Sequence, residues 1–423
     1  MKRKLLLISY VFPPLPGIGG RRWAKFVKYL EKKNIELHVV FASNPYLEQS
    51  TYLSELPQNN LHLYPLNCNY PKFLQQNPKN LIQKIISKFQ LFRVKTLTKG
   101  NYFDRSIKWN KYFLNQIPKI IINHNINKVV VSGPPFHYFL FALQLKKKFP
   151  IELIVDYRDP WSDFNVGFDN PDVSKGSRYE YELFNEKLVL QKADKVLCVS
   201  NFQKQLLKAK IFSKSFKPII ISNGFDKQDF DFDNSLENRD EILISHVGSL
   251  HNKKSHYYLP LLRAVKKLKE TNIQYCKIKF DFIGNVPEDL MEFINKNELH
   301  DIVTLKGQLS HKDAIKNISI SDIVLWFKFD ESSGDYATKF YEYVYLKKFI
   351  WVFSVQGTVT NFIIKNRIGK VFLKNNSLNL EHQIYLELLN LLEKPPKFNG
   401  NFNTDKYDLE IISEKLINSI WEN

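Results

Sequence analysis

Short apolar runs that alternate with helical patterns constrain the fold of this chain more than any other feature. In the first half, strands are predicted at residues 4–10, 35–41, 128–132, 152–156, 195–199 and 218–221, with helices at 20–32 and 137–148. Consecutive parallel strands need a crossover between them, and a helix is the usual one. The first half is therefore predicted to be a doubly wound α/β domain with a parallel sheet.

A second series of the same kind follows a polar, acidic run at residues 227–240. Its strands are predicted at 242–247, 277–283, 302–305, 323–327 and 349–353, and a final helix at 407–421. The chain of 423 residues is also longer than one hydrophobic core usually supports. We therefore predict an α/β fold with two Rossmann-like domains that face each other across a cleft. The predicted first domain spans 1–226, the linker 227–240 and the second domain 241–405, and the last helix, 406–423, is free to cross back to the first domain.

Cysteine usage and hydropathy narrow the class of protein. The three cysteines, Cys68, Cys198 and Cys276, form no CxxC pair, so neither a disulfide framework nor a zinc knuckle is expected and a reducing compartment fits. The apolar run near the start ends at two prolines, which favours a buried strand over a signal peptide. No segment approaches the roughly 20 apolar residues of a transmembrane helix. The protein is expected to be soluble or peripheral.

Basic residues are concentrated between residues 61 and 120, in a chain whose net charge is +18. Asp104 is the single acidic residue of that segment. Its basic residues are Lys72, Lys79, Lys84, Lys88, Arg93, Lys95, Lys99, Arg105, Lys108, Lys111 and Lys119. Such a one-sided charge distribution predicts a polyanionic partner surface.

The apolar residues of the stretch 81–89 recur with a helical period and are interleaved with Lys84 and Lys88. This pattern is typical of an amphipathic helix that lies on an anionic membrane. We predict a basic, membrane-facing insertion at about 61–120, with residues about 72–119 on the membrane. A surface insertion that is basic by composition alone is the alternative.

The first motif that follows a predicted strand lies at residues 12–23. Gly19 and Gly20 allow close approach of the backbone to a phosphate, and the helix that begins there attracts negative charge. Arg21 and Arg22 offer bidentate contacts to an anion. An ordinary strand–helix turn is the alternative. The spacing is not GxGxxG, so a dinucleotide cofactor is disfavoured.

Two more motifs follow strands of the first half. His137, at a helix start, is placed to donate to a hydroxyl group or a phosphate, although a capping or solvated histidine is the alternative. Asp156, Arg158 and Asp159 form a carboxylate–guanidinium–carboxylate cluster. Direct contact with an acceptor and a structural ion network are equally open interpretations of this cluster.

The second half contains two motifs of the same kind. Gly248 ends a strand and lets a diphosphate approach, and Lys254 can neutralise it, although surface lysines are common. Lys339 and Glu342 lie one turn apart and so share a helix face. Lys339 suits a phosphate, and Glu342 suits two ribose hydroxyls because an ionised carboxylate accepts two hydrogen bonds. A salt bridge on the helix surface is the alternative.

Taken together and in order, these motifs resemble those of the retaining glycosyltransferases of family 4, of the bacterial surface-polysaccharide type. The resemblance spans nearly the whole chain, at residues 12–25, 132–137, 156–161, 222–226, 248–254, 282–285 and 338–343. It implies the GT-B fold and a nucleotide-diphosphate sugar donor that is bound mainly by the second domain. No cofactor and no metal ion are expected. Two DxD patterns at 229–233 lie in the predicted linker with no preceding strand and are set aside.

The resemblance also assigns roles to residues. The expected donor-binding residues are Gly19, Gly20, Arg21, Gly248, Ser249, Lys254, Gly284, Leu309, Lys339 and Glu342. Lys254 is expected at the diphosphate, Lys339 at the phosphates or the sugar, and Glu342 at the ribose. The backbone of Leu309 would meet the base. The expected catalytic residues are His137, Lys254, Lys339 and Glu342, and those expected on the acceptor side are Asp156, Arg158 and Asp159.

Two positions depart from the family pattern. Ser249 stands where the family usually has an arginine, which reduces a pair of cations to one. The first acid of the family's Glu-x7-Glu pattern falls at Gly334. Its sugar-holding role then passes to Asp335, Glu331 or backbone N–H groups, or is missing.

The resemblance implies glycosyl transfer with retention of anomeric configuration to a lipid-linked glycan, in capsule, O-antigen or exopolysaccharide synthesis. The expected location is the cytoplasm, at the inner face of the plasma membrane. A GT-B-fold nucleotide-sugar isomerase or binding protein is one alternative. A basic nucleic-acid-binding protein is the other, but the chain lacks an RNA-recognition motif, a KH loop and a zinc finger, so no nucleic acid partner is expected.

Overall fold

A computed structural model describes residues 2–15, 18–44, 51–76, 78–163, 176–232, 239–328, 336–373, 377–394, 396, 398–400 and 402–422. Two compact units emerge from the contacts along the chain. The first unit comprises 1–223 together with 409–423, and the second comprises 224–408. The terminal segment 409–423 therefore belongs to the same unit as the start of the chain.

The first unit is built on a parallel sheet whose seven described strands have the order β3-β2-β1-β4-β5-β6-β7. The strands are β1 Lys4–Ser9, β2 Glu36–Ser43, β3 Leu61–Asn67, β4 Lys128–Gly133, β5 Glu152–Tyr157, β6 Lys195–Cys198 and β7 Ile219–Ile220. The central strands are buried along nearly their whole length, as expected for a parallel sheet covered on both faces.

Helices cover both faces of this sheet. They are α1 Arg21–Lys32, α3 Asn110–His124, α4 Phe139–Lys148, α5 Gly176–Lys192, α6 Asn201–Lys210 and, from the end of the chain, α13 Leu409–Trp421, whereas α2 Leu81–Leu97 packs on a small separate core. One core joins α3, α4 and α5 to the sheet, and a second core on the other face joins α1 and α13 to it. The last helix of the chain thus completes the first unit.

The second unit repeats the arrangement with a parallel sheet of order β10-β9-β8-β11-β12-β13. Its strands are β8 Ile242–Val247, β9 Ile278–Ile283, β10 Val303–Gly307, β11 Ile323–Phe327, β12 Phe349–Ser354 and β13 Gly369–Leu373. Its helices are α7 Ser255–Thr271, α8 Glu288–Lys296, α9 His311–Ile320, α10 Thr338–Tyr345, α11 Thr358–Asn366 and α12 Ser377–Glu393. Separate cores lie on the two faces of this sheet as well.

The structure confirms the strands and helices named above for both series to within two residues at each end. Strands β3 and β13 were missed. Both are edge strands with a single fully buried residue each, so neither has the buried apolar run that marks a central strand. Pro65 within β3 suits an edge, where one N–H of a strand faces away from the sheet.

The basic segment at about 61–120 is less of an insertion than the sequence suggests. Its first part is β3, and its last part is α3, whose Phe113 and Ile117 are fully buried in the core. The part outside these elements runs from residue 68 to 109 and contains α2. Among the described residues, none of the helices is both long and apolar enough to cross a bilayer.

The predicted linker at 227–240 begins with ordered structure. Residues Lys227–Phe230 form a short 3-10 helix that Asp226 caps, and Lys227 pairs with Asp408 at 2.8 Å. The N–H of Phe225 donates to the carbonyl oxygen of Tyr407 at 3.0 Å. The two chain segments that bound the second unit therefore lie side by side within it, and residues 233–238 lie outside the described residues.

Candidate functional site

Three glycines with positive φ lie at the carboxyl ends of neighbouring strands in the second unit. Gly248 follows β8, Gly284 follows β9 and Gly307 ends β10, with φ values of 122°, 117° and 66°. The N–H of Gly248 donates to Ile283 O at 2.7 Å, and the N–H of Gly284 donates to Gly307 O at 2.6 Å. This backbone is packed tightly: a Cβ on Gly284 would lie 2.7 Å from the Gly248 backbone. Ligands of open α/β sheets bind at this edge.

Gly248 admits the side chain of Lys339. The ammonium group of Lys339 donates to the carbonyl oxygen of Val247, the last residue of β8. A Cβ on Gly248 would lie 1.8 Å from Lys339 Nζ, so any other residue at position 248 would displace the lysine. The sequence predicts that this glycine lets a diphosphate approach, which stays a prediction, and the structure shows that it makes room for Lys339.

Lys254 reaches the same edge from the loop before α7. Its ammonium group donates to the carbonyl oxygen of Phe327, the last residue of β11, at 2.8 Å. Burial, together with the nearby charge of Lys339, lowers the pKa of Lys254 to about 8. Burial also lowers the pKa of Lys339, against the opposing effect of Glu342. A buried ammonium group and a partly buried one thus lie close enough to repel each other, at the ends of adjacent strands.

Glu342 lies on α10 one turn beyond Lys339 and is buried. Its Oε1 atom is 3.1 Å from Nε2 of His311, the first residue of α9. The carboxylate is 8% exposed, so a salt bridge on the open surface of the helix does not describe it. Helix α9 begins after β10 and helix α10 begins after β11. The starts of these two helices bring His311 and Glu342 together.

Two more of the residues assigned to the donor, Ser249 and Leu309, belong to the second unit. Ser249 is exposed beside Gly248, and Leu309 is partly buried against the core that contains α10. Gly334, where the Glu-x7-Glu pattern lacks its first acid, lies outside the described residues, and so do Asp335 and Glu331, the two candidates to replace that acid.

Loops after β1, β4 and β5 meet in the first unit, because these strands are neighbours in the sheet. Arg158 donates from Nε to Gly133 O at 3.1 Å and from Nη2 to Pro134 O. A Cβ on Gly19 would lie 3.1 Å from Arg158 Nη1, so Gly19 lies against the guanidinium group. Arg158 thus joins three of the motifs at one end of the sheet.

Asp156 is fully buried and engaged within the protein. It accepts hydrogen bonds from Trp23 Nε1 and from Ser132 Oγ, both at 2.7 Å, and lies 3.7 Å from Arg22. Arg22 in turn donates to the carbonyl oxygen of Ile221 at 2.6 Å. These contacts match the structural network that the sequence left open for Asp156, whereas Asp159 is exposed.

His137 is mostly buried, with its ring edge-on to Phe141 at 5.4 Å between centroids. Burial lowers its pKa, against the opposing charge of Asp104, so the ring is neutral at pH 7. Asp104 accepts hydrogen bonds from the N–H groups of Phe136 and His137 at 2.8 Å. The carboxylate therefore holds the loop that carries His137.

Gly20 and Arg21 differ in what their contacts suggest. A Cβ on Gly20 would lie 3.1 Å from Phe12 Cα, which makes close packing of the chain a sufficient reason for this glycine. The guanidinium group of Arg21 lies over the ring of Tyr52, 5.6 Å from its centroid. Neither contact involves the residues of the second unit.

Sequence reasoning missed three residues of these sites. His311 pairs with Glu342. The sequence feature that could have identified His311 is its position four residues after Gly307, which ends a strand. His246, on β8, is buried beside the two lysines, and burial together with their charges lowers its pKa to about 3. Asp104 is the single acidic residue of a basic segment. Its position as the one acidic residue among many basic ones is the sequence feature that could have indicated its structural role.

The second unit therefore offers two ammonium groups, a tight glycine backbone and a buried carboxylate at one edge of a sheet. The ammonium groups suit a phosphate or diphosphate, and the carboxylate suits hydroxyl donors. The described residues of the edge include no nucleophile of the cysteine or serine–histidine kind. The arrangement can bind a phosphorylated, hydroxyl-rich molecule and stabilise a leaving phosphate.

No family model and no curated protein matches the sequence. Among solved structures, sucrose-phosphate synthase from Thermosynechococcus elongatus is similar, with a TM-score of 0.65 and 14% identity over 98% of this chain and 97% of that one. WaaG, a glycosyltransferase involved in lipopolysaccharide biosynthesis, has a TM-score of 0.63 and 12% identity over 99% and 100%.

A third similar structure has a different kind of activity in its name. UDP-GlcNAc 2-epimerase from Methanocaldococcus jannaschii has a TM-score of 0.56 and 12% identity, over 98% of this chain and 98% of that one. At such identities the likeness concerns the fold. It covers both units, with their parallel sheets and helices on both faces, and it confirms the predicted fold class. The chain therefore has the GT-B fold, with two Rossmann-like domains.

Proposed function

We propose that this protein is a glycosyltransferase that moves a sugar from a nucleotide-diphosphate donor to a lipid-linked glycan with retention of anomeric configuration. The setting we propose is the synthesis of a capsule, O-antigen or exopolysaccharide at the inner face of the plasma membrane. The resemblance of the ordered motifs to family 4 supports this proposal, and so do GT-B relatives such as WaaG.

The observation that carries the proposal is the pair of lysines at the carboxyl ends of β8 and β11. Lys254 is buried and Lys339 is partly buried, and their charges repel each other, which is unfavourable in the free protein. A diphosphate bound between the two ammonium groups would attract both of them and so offset this repulsion. We assign the ribose of the same nucleotide to Glu342, one turn along α10, because an ionised carboxylate accepts two hydrogen bonds.

In the proposed reaction the bond between the anomeric carbon and the donor's β-phosphate oxygen breaks, and a bond to the acceptor hydroxyl oxygen forms. The two ammonium groups stabilise the negative charge that develops on the leaving diphosphate. The acceptor proton passes to the leaving phosphate. We assign no side chain of the described residues as a nucleophile.

The donor is tested first by binding. Nucleotide sugars of each base should be screened for the rise that they cause in the unfolding temperature of the full chain, because a ligand of the folded state stabilises it by mass action. The donor so identified is then supplied with membranes as the acceptor source, and transfer of labelled sugar to lipid is measured. A chain that no nucleotide sugar stabilises would contradict the proposal.

The proposed membrane contact rests on α2, whose apolar side chains are exposed in a contiguous set. At 3.6 residues per turn these side chains share one face of the helix. They are Leu81 (74% exposed), Ile82 (69%), Ile85 (60%), Ile86 (36%), Phe89 (60%) and Phe92 (64%). Lys84, Lys88 and Lys95 flank this face, as in helices that lie on anionic lipid.

The protein holds α2 in place from its other side. Val94 is buried in a small core with Tyr70 and Tyr102. Arg178 of α5 donates to the carbonyl oxygens of Lys95 and, at 2.9 Å, Gly100, just beyond the helix. The apolar face is therefore presented by a fixed helix, and a bilayer is the partner that we propose for it.

A nucleotide-sugar epimerase is the second candidate, favoured by the GT-B relative of that name from Methanocaldococcus jannaschii. An epimerase converts its sugar without an acceptor. Incubation of the donor with pure protein, followed by separation of the sugars, would reveal an epimer in that case. Transfer would leave the donor unchanged until membranes or lipid acceptor are added.

A further inference from the structure

A glutamate, three histidines and a tyrosine gather at the amino ends of β1, β2 and β3. Glu36 and His38 lie on β2, and His62 and Tyr64 lie on the adjacent β3, where the parallel register places His38 opposite His62. Residues two apart on a strand point to the same side, so these four side chains share one face of the sheet. His124, the last residue of α3, meets them from the helix that covers this face.

The distances within the cluster are those of a ligand set. Glu36 Oε1 lies 3.0 Å from His38 Nε2 and 3.9 Å from His62 Nε2. The ligand atoms of the three residues all lie within 4.8 Å of one another. A tetrahedral zinc ion with bonds of about 2.0–2.1 Å holds its ligand atoms roughly 3.3 Å apart. Small rotations of the side chains would bring all three into that geometry.

Hydrogen bonds orient the buried histidine. His38 is fully buried, and its Nδ1 lies 3.0 Å from the hydroxyl of Tyr64, which lies 3.2 Å from His124 Nε2. A metal ion bound to His38 Nε2 would leave the ring proton on Nδ1. The Tyr64 hydroxyl would then accept a hydrogen bond from that N–H group and donate one to His124 Nε2. Metal-binding histidines generally have such a partner on their second nitrogen.

Solvent reaches the cluster from one side. The side chain of His62 is 48% exposed, so an ion can enter and a water molecule can take a fourth position. Lys4 lies 3.9 Å from Glu36 and also donates to His124 O at 2.9 Å. If a metal ion binds the Glu36 carboxylate in place of Lys4, the ammonium group of Lys4 still donates to the carbonyl oxygen of His124.

We propose that Glu36, His38 and His62 bind a divalent transition-metal ion of the zinc class, which fastens the amino ends of β2 and β3 to each other. Two imidazoles and a carboxylate are a set that zinc takes in proteins. This site lies at the amino ends of strands in the first sheet, whereas Arg158 lies at the carboxyl end of β5. The sequence led us to expect no metal ion anywhere, and the proposal departs from that expectation.

Cobalt(II) is the probe for this site, since it replaces zinc and its visible absorption reports coordination number. The full chain, stripped with a chelator, should bind one equivalent of Co2+ with the strong absorption of a four-coordinate site, and Zn2+ should displace it. His62→Ala should weaken Co2+ binding at least about tenfold, the size seen when even supporting partners of metal ligands are lost. His300→Ala, at an exposed histidine of the second unit, should leave it unchanged.

A second pair of measurements separates a metal site from a network of hydrogen bonds. Glu36→Gln keeps an acceptor for His38 but removes the charge, so it should weaken Co2+ binding and leave the fold intact. Zn2+ should raise the unfolding temperature of the natural protein but not that of His62→Ala. Equal Co2+ affinity in the natural protein and His62→Ala, or the weak absorption of six-coordinate Co2+ alone, would overturn the proposal.

Discussion

Individual side chains at the carboxyl ends of the strands in the second sheet make contacts that their positions in the sequence do not specify. Gly248 makes room for Lys339, and Glu342 is held by His311 instead of lying on an open helix surface. In each case the partner comes from a distant part of the chain.

Donor binding should depend on pH through Lys254. Its pKa is about 8 in the free protein, and a diphosphate beside it favours the charged form, so binding above pH 8 takes up a proton. Donor affinity should be constant below that pH and fall by up to about tenfold per unit above it. A nucleotide sugar is the right ligand, because its diphosphate is a diester that does not titrate in this range. Calorimetry in two buffers of different ionisation enthalpy measures the uptake.

Lys254→Arg is the matched control for this pH dependence. An arginine stays charged at every pH of the experiment, so the variant should bind the donor with a flatter dependence above pH 8. Identical slopes in the natural protein and Lys254→Arg would show that another group is responsible.

Glu342→Gln should weaken donor binding by about tenfold, because a carboxylate forms stronger hydrogen bonds with two ribose hydroxyls than an amide does. The informative measurement compares a nucleoside diphosphate with its 2′-deoxy and 3′-deoxy forms. The natural protein should prefer the ribose form, and Glu342→Gln should lose that preference. If the variant discriminates as well as the natural protein does, Glu342 does not contact the ribose.

Among the elements, α2 is distinctive because its exposed side is its apolar side. A soluble helix normally buries that stripe, and here the buried side instead holds Val94. Its N-terminus is capped by Asn80, which accepts from the Gln83 N–H at 2.9 Å, so the helix is defined without a membrane. The exposed face is then available for lipid.

Replacing Phe89 and Phe92 with serine should weaken binding to anionic vesicles by at least about tenfold, since each ring loses roughly 1.5–3 kcal/mol of burial. Sedimentation with vesicles of anionic and of zwitterionic lipid measures this loss. Ile364→Ser is the matched control, because Ile364 is 61% exposed on α11 of the second unit. Equal binding of the natural protein and the double variant would exclude α2 as the membrane contact.

At the scale of the whole molecule, the chain leaves the first unit at about residue 223 and returns to it at residue 409. Helix α13 then supplies Leu409, Ile412, Leu416, Ile417 and Ile420 to the core that α1 also occupies. The first unit is therefore complete only when the last residues of the chain are in place. Its stability should depend on them.

Leu416→Ala should lower the free energy of unfolding of the first unit by about 2–5 kcal/mol, because it opens a cavity in a fully buried position. Denaturant unfolding of the full chain, followed by tryptophan fluorescence, measures the change. Ile411→Ala on the same helix is the control, since Ile411 is 46% exposed and its loss should cost less than about 0.5 kcal/mol. Similar losses in both variants would contradict the role of α13 as part of this core.

The alternation of apolar strands and helices was enough to predict the fold class and most strand positions. This works because a central parallel strand must be apolar on both faces, which leaves a continuous apolar run in the sequence. Edge strands escape the rule: β3 carries His62, Tyr64 and Pro65, and it was missed. Without β3, the pairing of His38 with His62 was not foreseen either.

The sequence by itself determined which residue types stand at the strand ends, namely glycines, lysines and a glutamate in one order. That order depends on local chemistry, since a phosphate needs cations and a close backbone wherever it binds. Only the tertiary structure decided which of these residues meet. Lys339 reaches Val247 and Lys254 reaches Phe327 because β8 and β11 are adjacent in the sheet, although about 80 residues separate them in the chain. For the same reason Glu36, His38 and His62 became a candidate metal site only once β2 and β3 were paired.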